Sequence, residues 1–174
     1  MNKWNRSAML CGMLLTLMCG ANSQAAEKSK PQAAFEQLAS LVGEWKGVQD
    51  GTGTEITLTY TLTADDSVLM EESRPVKGPA MITMFSVDRD HLVATHYCSA
   101  RNQPQMATGT ITDPQKNVLS FSLVRVTGMN TPQDWHNTAL EMHLEDKDHL
   151  SQIWSWEYKG KKGTTGFHFS RIRT

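Results

Sequence analysis

His96 and Cys98 stand two residues apart in Thr95-His96-Tyr97-Cys98, and the chain runs on through Ser99, Ala100 and Arg101 to Asn102-Gln103-Pro104. On an extended strand, residues i and i+2 point to the same face. The imidazole and the thiol therefore share a wall with Leu92 and Ala94. Three chemistries suit such a pair. Two ligands can begin a zinc or copper site, which takes three or four in all. A thiolate can serve as a nucleophile where a neighbouring base or cation lowers its pKa from about 8.5. The pair can also be the polar part of an otherwise apolar pocket.

The remaining residues bear unequally on these readings. His91 and His149 fall in turn segments, and His143 alternates with Glu141 and Glu145 on the wet face of its strand. His136 and His168 are distant in sequence, so nothing local supplies a third metal ligand. Strand rise separates the His96 and Cys98 Cα atoms by about 6–7 Å, long for a direct sulfur–imidazole contact. Arg101 adds positive charge, but no third group is visible that would orient the histidine. Glu71 and Glu72 are adjacent and point to opposite faces, so they are not a cooperating carboxylate pair. For a pocket the supply is better: Tyr60, Met81, Met84, Met106, Phe121, Trp154, Trp156 and Tyr158 are all candidate lining. Methionine and aromatic side chains adapt to irregular apolar ligands.

These residues need a scaffold, and the pattern of the chain describes one. Pro31 can open a helix at its first turn, and Phe35, Leu38 and Leu41 follow at helical spacing before Gly43 stops the run. From there the period changes to two. In Glu55 to Thr63, Ile56, Leu58, Tyr60 and Leu62 alternate with four threonines, an order no helix keeps. Ten strands are expected: 44–49, 55–63, 68–74, 80–87, 92–99, 105–112, 118–126, 138–145, 150–158 and 165–173. Asp88-Arg89-Asp90-His91-Leu92 and Asp146-Lys147-Asp148-His149-Leu150 are nearly the same turn used twice. Strands joined by loops that short are antiparallel neighbours. Ten of them in sequence leave exposed edges unless they close on themselves. The expected fold is therefore all-β, a closed antiparallel up-and-down barrel with a short N-terminal helix as plug or lid. Arg101 to Pro104 is expected to turn at the barrel mouth, and residues 127–137 to form a longer loop over one end.

Composition and the N-terminus bound the rest. Lys3 and Arg6, an apolar run from Ala8 to Cys19, and small residues through Ala26 follow the order of a secretory signal peptide. The run falls short of the roughly 20 residues that span a bilayer. Residues 1–26 are read as a cleaved signal with the cut after Ala25 or Ala26, 27–32 as a polar tether, and 33–174 as one barrel domain. The expected location is periplasmic or secreted, with no transmembrane segment in the mature chain. Loss of Lys3 and Arg6 takes 17 basic residues to 15 against 18 acidic ones, a net charge of −3. With no basic surplus to neutralise phosphates, nucleic acid is not an expected partner. Cys11 and Cys19 leave with the signal, so Cys98 has no cysteine in its own chain to pair with.

Helix, Gly43-x-Trp45 at the first strand, ten strand signals and a terminal arginine together resemble the lipocalin-like, or calycin, barrels. In that superfamily the tryptophan closes one end and an arginine of the last strand lies across its ring. The resemblance gives these roles to Trp45 and Arg171, with Arg173 as a substitute. Thr95 to Met106 further resembles a group of bacterial lipocalin-like domains of unknown function. Gly43-x-Trp45-x-Gly47 matches in part the start of the more distant nitrobindin-like haem barrels. Those hold haem iron with a histidine on a late strand, which implies His168 as a haem ligand here. The residues themselves call for no cofactor. The expected function is a non-catalytic barrel that binds a small hydrophobic or amphipathic molecule through His96, Cys98, Arg101, Met84, Met106, Tyr60 and Trp154. A haem or metal barrel, and an enzyme using Cys98 with His96, are the alternatives.

Overall fold

The computed structural model describes residues 28–173, so the proposed signal peptide lies outside the described residues. One helix, α1 (Lys30–Ala39), precedes ten strands: β1 (Gly43–Gln49), β2 (Glu55–Thr63), β3 (Val68–Pro75), β4 (Met81–Asp88) and β5 (His91–Tyr97), then β6 (Gln103–Ala107), β7 (Val118–Thr127), β8 (His136–Leu144), β9 (His149–Tyr158) and β10 (Lys161–Arg171). Each strand pairs antiparallel with its neighbours in sequence, and β1 pairs with β10, which closes the barrel. Closure leaves no unpaired edge.

Most boundaries shift by a residue or two from the expected ones, and β6 ends at Ala107 rather than at 112; three of the earlier starts have a visible cause. The helix starts at Lys30 because Ser29 caps it, its hydroxyl accepting from the Gln32 N–H at 3.4 Å; part of the supposed tether is thus helical. Strand β6 begins at Gln103, because the turn before it closes early: Cys98 N–H donates to Asn102 O at 3.1 Å, and Arg101 takes a φ of 65°. Strand β10 begins at Lys161, directly after a two-residue turn in which Lys159 and Gly160 both have positive φ (50° and 75°). That is the backbone a tight hairpin requires.

The barrel is two unlike halves. At the helix end the interior is solid: Leu69, Phe85, Leu92, Met106, Phe121, Leu140, Met142 and Leu150 are fully buried there. Phe85 and Phe121 meet with ring centroids 5.7 Å apart. Helix α1 covers this end with Ala34, Phe35 and Leu38, packed against β4 and β5. Trp45, 0% exposed, donates its indole N–H to Leu41 O at 2.8 Å and so joins β1 to the end of the helix. The Arg171 guanidinium lies 4.2 Å from the Trp45 ring centroid and donates to the carbonyls of Ser40, Val42 and Lys147, each at 2.8 Å. Arg173 instead pairs with Asp148. Among the described residues no helix is long and apolar enough to cross a membrane.

Candidate functional site

The other half of the barrel is hollow. A cavity of about 260 Å³ opens at the end away from the helix. Its wall is mostly apolar and strongly aromatic: Ile56, Leu58, Met81, Trp154, Trp156 and Phe167. Two of its rings are seated on glycines. A Cβ on Gly163 would lie 2.4 Å from the Trp156 ring, and one on Gly47 would lie 2.3 Å from the Phe169 ring and 2.2 Å from a backbone oxygen. Only glycine lets these rings lie flat against the neighbouring strand.

The floor of the cavity is polar. Glu71, 2% exposed, projects inward from β3 between Leu69 and Ser73. Its Oε2 accepts from the Tyr60 hydroxyl at 2.5 Å and from the Gln152 Nε2 at 2.6 Å. The orientation of Gln152 is fixed, because the Trp154 indole N–H is a donor only. It donates to Gln152 Oε1 at 2.9 Å, which turns the amide NH₂ toward Glu71. On the other side, Thr83 Oγ1 donates to Glu71 Oε1 at 3.5 Å and meets His96 Nδ1 at 3.0 Å. The His96 ring rests on Trp154, with centroids 4.7 Å apart. Five strands thus contribute to one layer that separates packed core from hollow.

Burial sets the charge of this layer. It pulls the His96 pKa down to about 4, so the ring is neutral at physiological pH. The Glu71 carboxyl is raised by burial, against the opposing pull of its three hydrogen-bond donors. Tyr60 is raised well above the ordinary phenol value, first by burial and then by the adjacent carboxylate. Burial also pushes the Cys98 thiol up.

His96, Cys98 and Trp154 all line the cavity. Cys98 Sγ accepts from the Ala100 N–H at 3.4 Å, and among the described residues no hydrogen bond joins it to His96. A protonated thiol beside a neutral imidazole is not an activated nucleophile. Tyr60 lies beneath, as part of the floor's support. Four expected positions are corrected. Met84 is on the outer face, because Thr83 and Phe85 take the inward positions of β4. Met106 points inward but in the solid half, beside Ala94. Arg101 is an exposed turn residue outside the cavity wall. His168 faces outward from β10, with its side chain 65% exposed and 3.4 Å from Asp50, while its neighbours Phe167 and Phe169 face in. A haem held by His168 inside the barrel does not fit this arrangement. No group of three or more His, Cys, Asp or Glu side chains among the described residues is placed to hold a metal ion.

Sequence reasoning missed Glu71, Thr83 and Gln152. The signal was present: each is a polar residue on the core-facing side of its strand, in Leu69–Glu71, Thr83–Phe85 and Leu150–Gln152–Trp154.

No protein-family model matches the chain. No curated relative matches it either. Solved structures similar in fold include the following two. One is a protein of unknown function from the DUF3598 family of Nostoc punctiforme (TM-score 0.51, 12% identity), covering 78% of this chain and 49% of that one. This chain thus spans about half its length. The other is Rv2717c of M. tuberculosis (TM-score 0.57, 15% identity), covering 80% of this chain and 98% of that one. At these identities the likeness is one of fold.

Proposed function

We propose that this protein is a non-catalytic binding barrel that holds one small amphipathic molecule in its open half. One observation carries the reading: a hollow with aromatic walls ends on a floor of buried, mutually oriented polar groups, Glu71, His96 and Gln152. A solid core would have no use for that floor, since buried polar groups cost stability unless paired. The cavity volume, about 260 Å³, lies just under the ~300–1,000 Å³ usual for drug-sized ligands, which suits a compact molecule.

The test is uptake of the neutral dye N-phenyl-1-naphthylamine, read by its fluorescence, together with native mass spectrometry of gently purified protein for a co-purifying mass. Ser73 faces the cavity one position beyond Glu71. Ser73→Trp should fill the space and weaken dye binding at least ~10-fold while changing stability by no more than about 1 kcal/mol. Protein that arrives empty and takes up no dye would remove the reading.

Export belongs to the same proposal, supported by the basic, apolar and small order of residues 1–26. The intact mass of protein recovered from the producing cells is expected to correspond to a chain that starts at Ala26 or Glu27. A full-length mass in an envelope or secreted fraction would contradict it.

A further inference from the structure

The residues lining the cavity include one carboxylate, Glu71, and no lysine or arginine. The only histidine among them, His96, is neutral at physiological pH. A carboxylate offers about four lone-pair positions. Tyr60 and Gln152 take two on Oε2, and Thr83 approaches Oε1 only at 3.5 Å, so Oε1 retains capacity for a donor. The same cavity is lined by the aromatic rings of Trp154, Trp156, Trp135 and Phe167. An anionic headgroup would meet acceptor lone pairs and find no basic partner. A neutral headgroup would bring no charge to balance an ionised Glu71. A protonated amine or amidine satisfies both features at once, through a charge-assisted hydrogen bond and through attraction to the rings.

We infer that the cavity takes a small organic cation, a protonated amine or amidine on an apolar body, with its charge on Glu71 and its body between the tryptophans and Phe167. This deepens the binding-barrel reading and rests on it. The folded protein already holds Glu71 out of water, so the incoming cation adds only its own desolvation to the balance. Burial raises the Glu71 carboxyl, and a bound cation would draw it back toward the ionised form. Lys159, Lys161 and Lys162 do stand at the β9–β10 rim. They are exposed, Lys162 pairs with Glu157 at 3.6 Å, and Lys159 lies over the Tyr158 ring. Solvent and salt screen such rim charges, which act on encounter rates more than on the occupied site.

Three probes with the same body and different heads test the assignment: 2-phenylethylamine, 2-phenylethanol and 3-phenylpropanoate. Each is titrated into the wild type and Glu71→Gln, with calorimetry and tryptophan fluorescence as readouts. The amine is expected to bind the wild type at least ~10-fold more tightly than the alcohol, with the carboxylate weakest, and Glu71→Gln should erase the amine's advantage. Equal binding of amine and alcohol, preference for the carboxylate, or an amine preference that survives in folded Glu71→Gln would each overturn it. Should the variant fail to fold, the wild-type ranking alone decides. If no probe binds although the naphthylamine dye does, the cation assignment falls and the binding barrel stands. If the dye fails as well, both fall.

Discussion

Trp45→Ala is expected to cost about 3–5 kcal/mol, the range for removing a large aromatic side chain from a core. That is a large part of the ~5–15 kcal/mol that stabilises a typical domain. The residue is completely buried, its indole N–H is the bond between β1 and the helix end, and its ring carries the Arg171 guanidinium. Arg171→Met should cost less, about 1–3 kcal/mol, since it keeps an apolar stem over the ring while removing three hydrogen bonds to carbonyls. Urea titration with a constant m-value measures both. A Trp45→Ala loss under about 1 kcal/mol would mean that the closed end of the barrel is held by something else.

The second large effect is on acid stability. His96 titrates near 6.5 when unfolded and at about 4 when folded, because burial disfavours the imidazolium. Between those values the unfolded chain binds the extra proton, so stability is complete above about pH 6.5 and falls as the pH drops toward 4. The difference in pKa corresponds to about 3 kcal/mol, lost across that window. Glu71 works in the opposite direction. Its raised pKa makes the folded state the better proton binder, so its contribution is present in acid and declines as the pH rises through its folded pKa. Comparing wild type with His96→Gln isolates the first effect, since every other titration is common to both. Urea midpoints from pH 7.5 to 4 should fall more steeply for the wild type. Parallel curves would show that the histidine is not held neutral by burial.

Much of the architecture was legible because its signals are local. The alternation of Ile56, Leu58 and Tyr60 with threonines fixes both a strand and its inward face. The paired Asp-x-Asp-His-Leu turns make neighbours antiparallel, and ten antiparallel neighbours in a row favour closure. The same alternation placed Leu92, Ala94, His96 and Cys98 on one face, and all four are buried. It failed where phase was uncertain. Met84 and His168 are each one residue out of step with their inward neighbours, and a shift of one reverses the face. The floor was harder to see for another reason. Glu71, Thr83 and Gln152 come from three strands and acquire meaning only through registers such as Tyr60 opposite Glu71 and Thr83 opposite His96. Along the chain Glu71 has only Glu72 beside it, which points to the other face, whereas its partners lie across the sheet.

The polar layer at mid-barrel acts as a watershed along each strand that crosses it. On β9, Leu150 belongs to the helix side, Gln152 to the divide and Trp156 to the open side. Changes on the first side are absorbed by the folding equilibrium, and changes on the last by the cavity alone. A barrel divided in this way can reshape its cavity over evolutionary time by altering the outer third of its strands, while the sealed end keeps the cylinder standing.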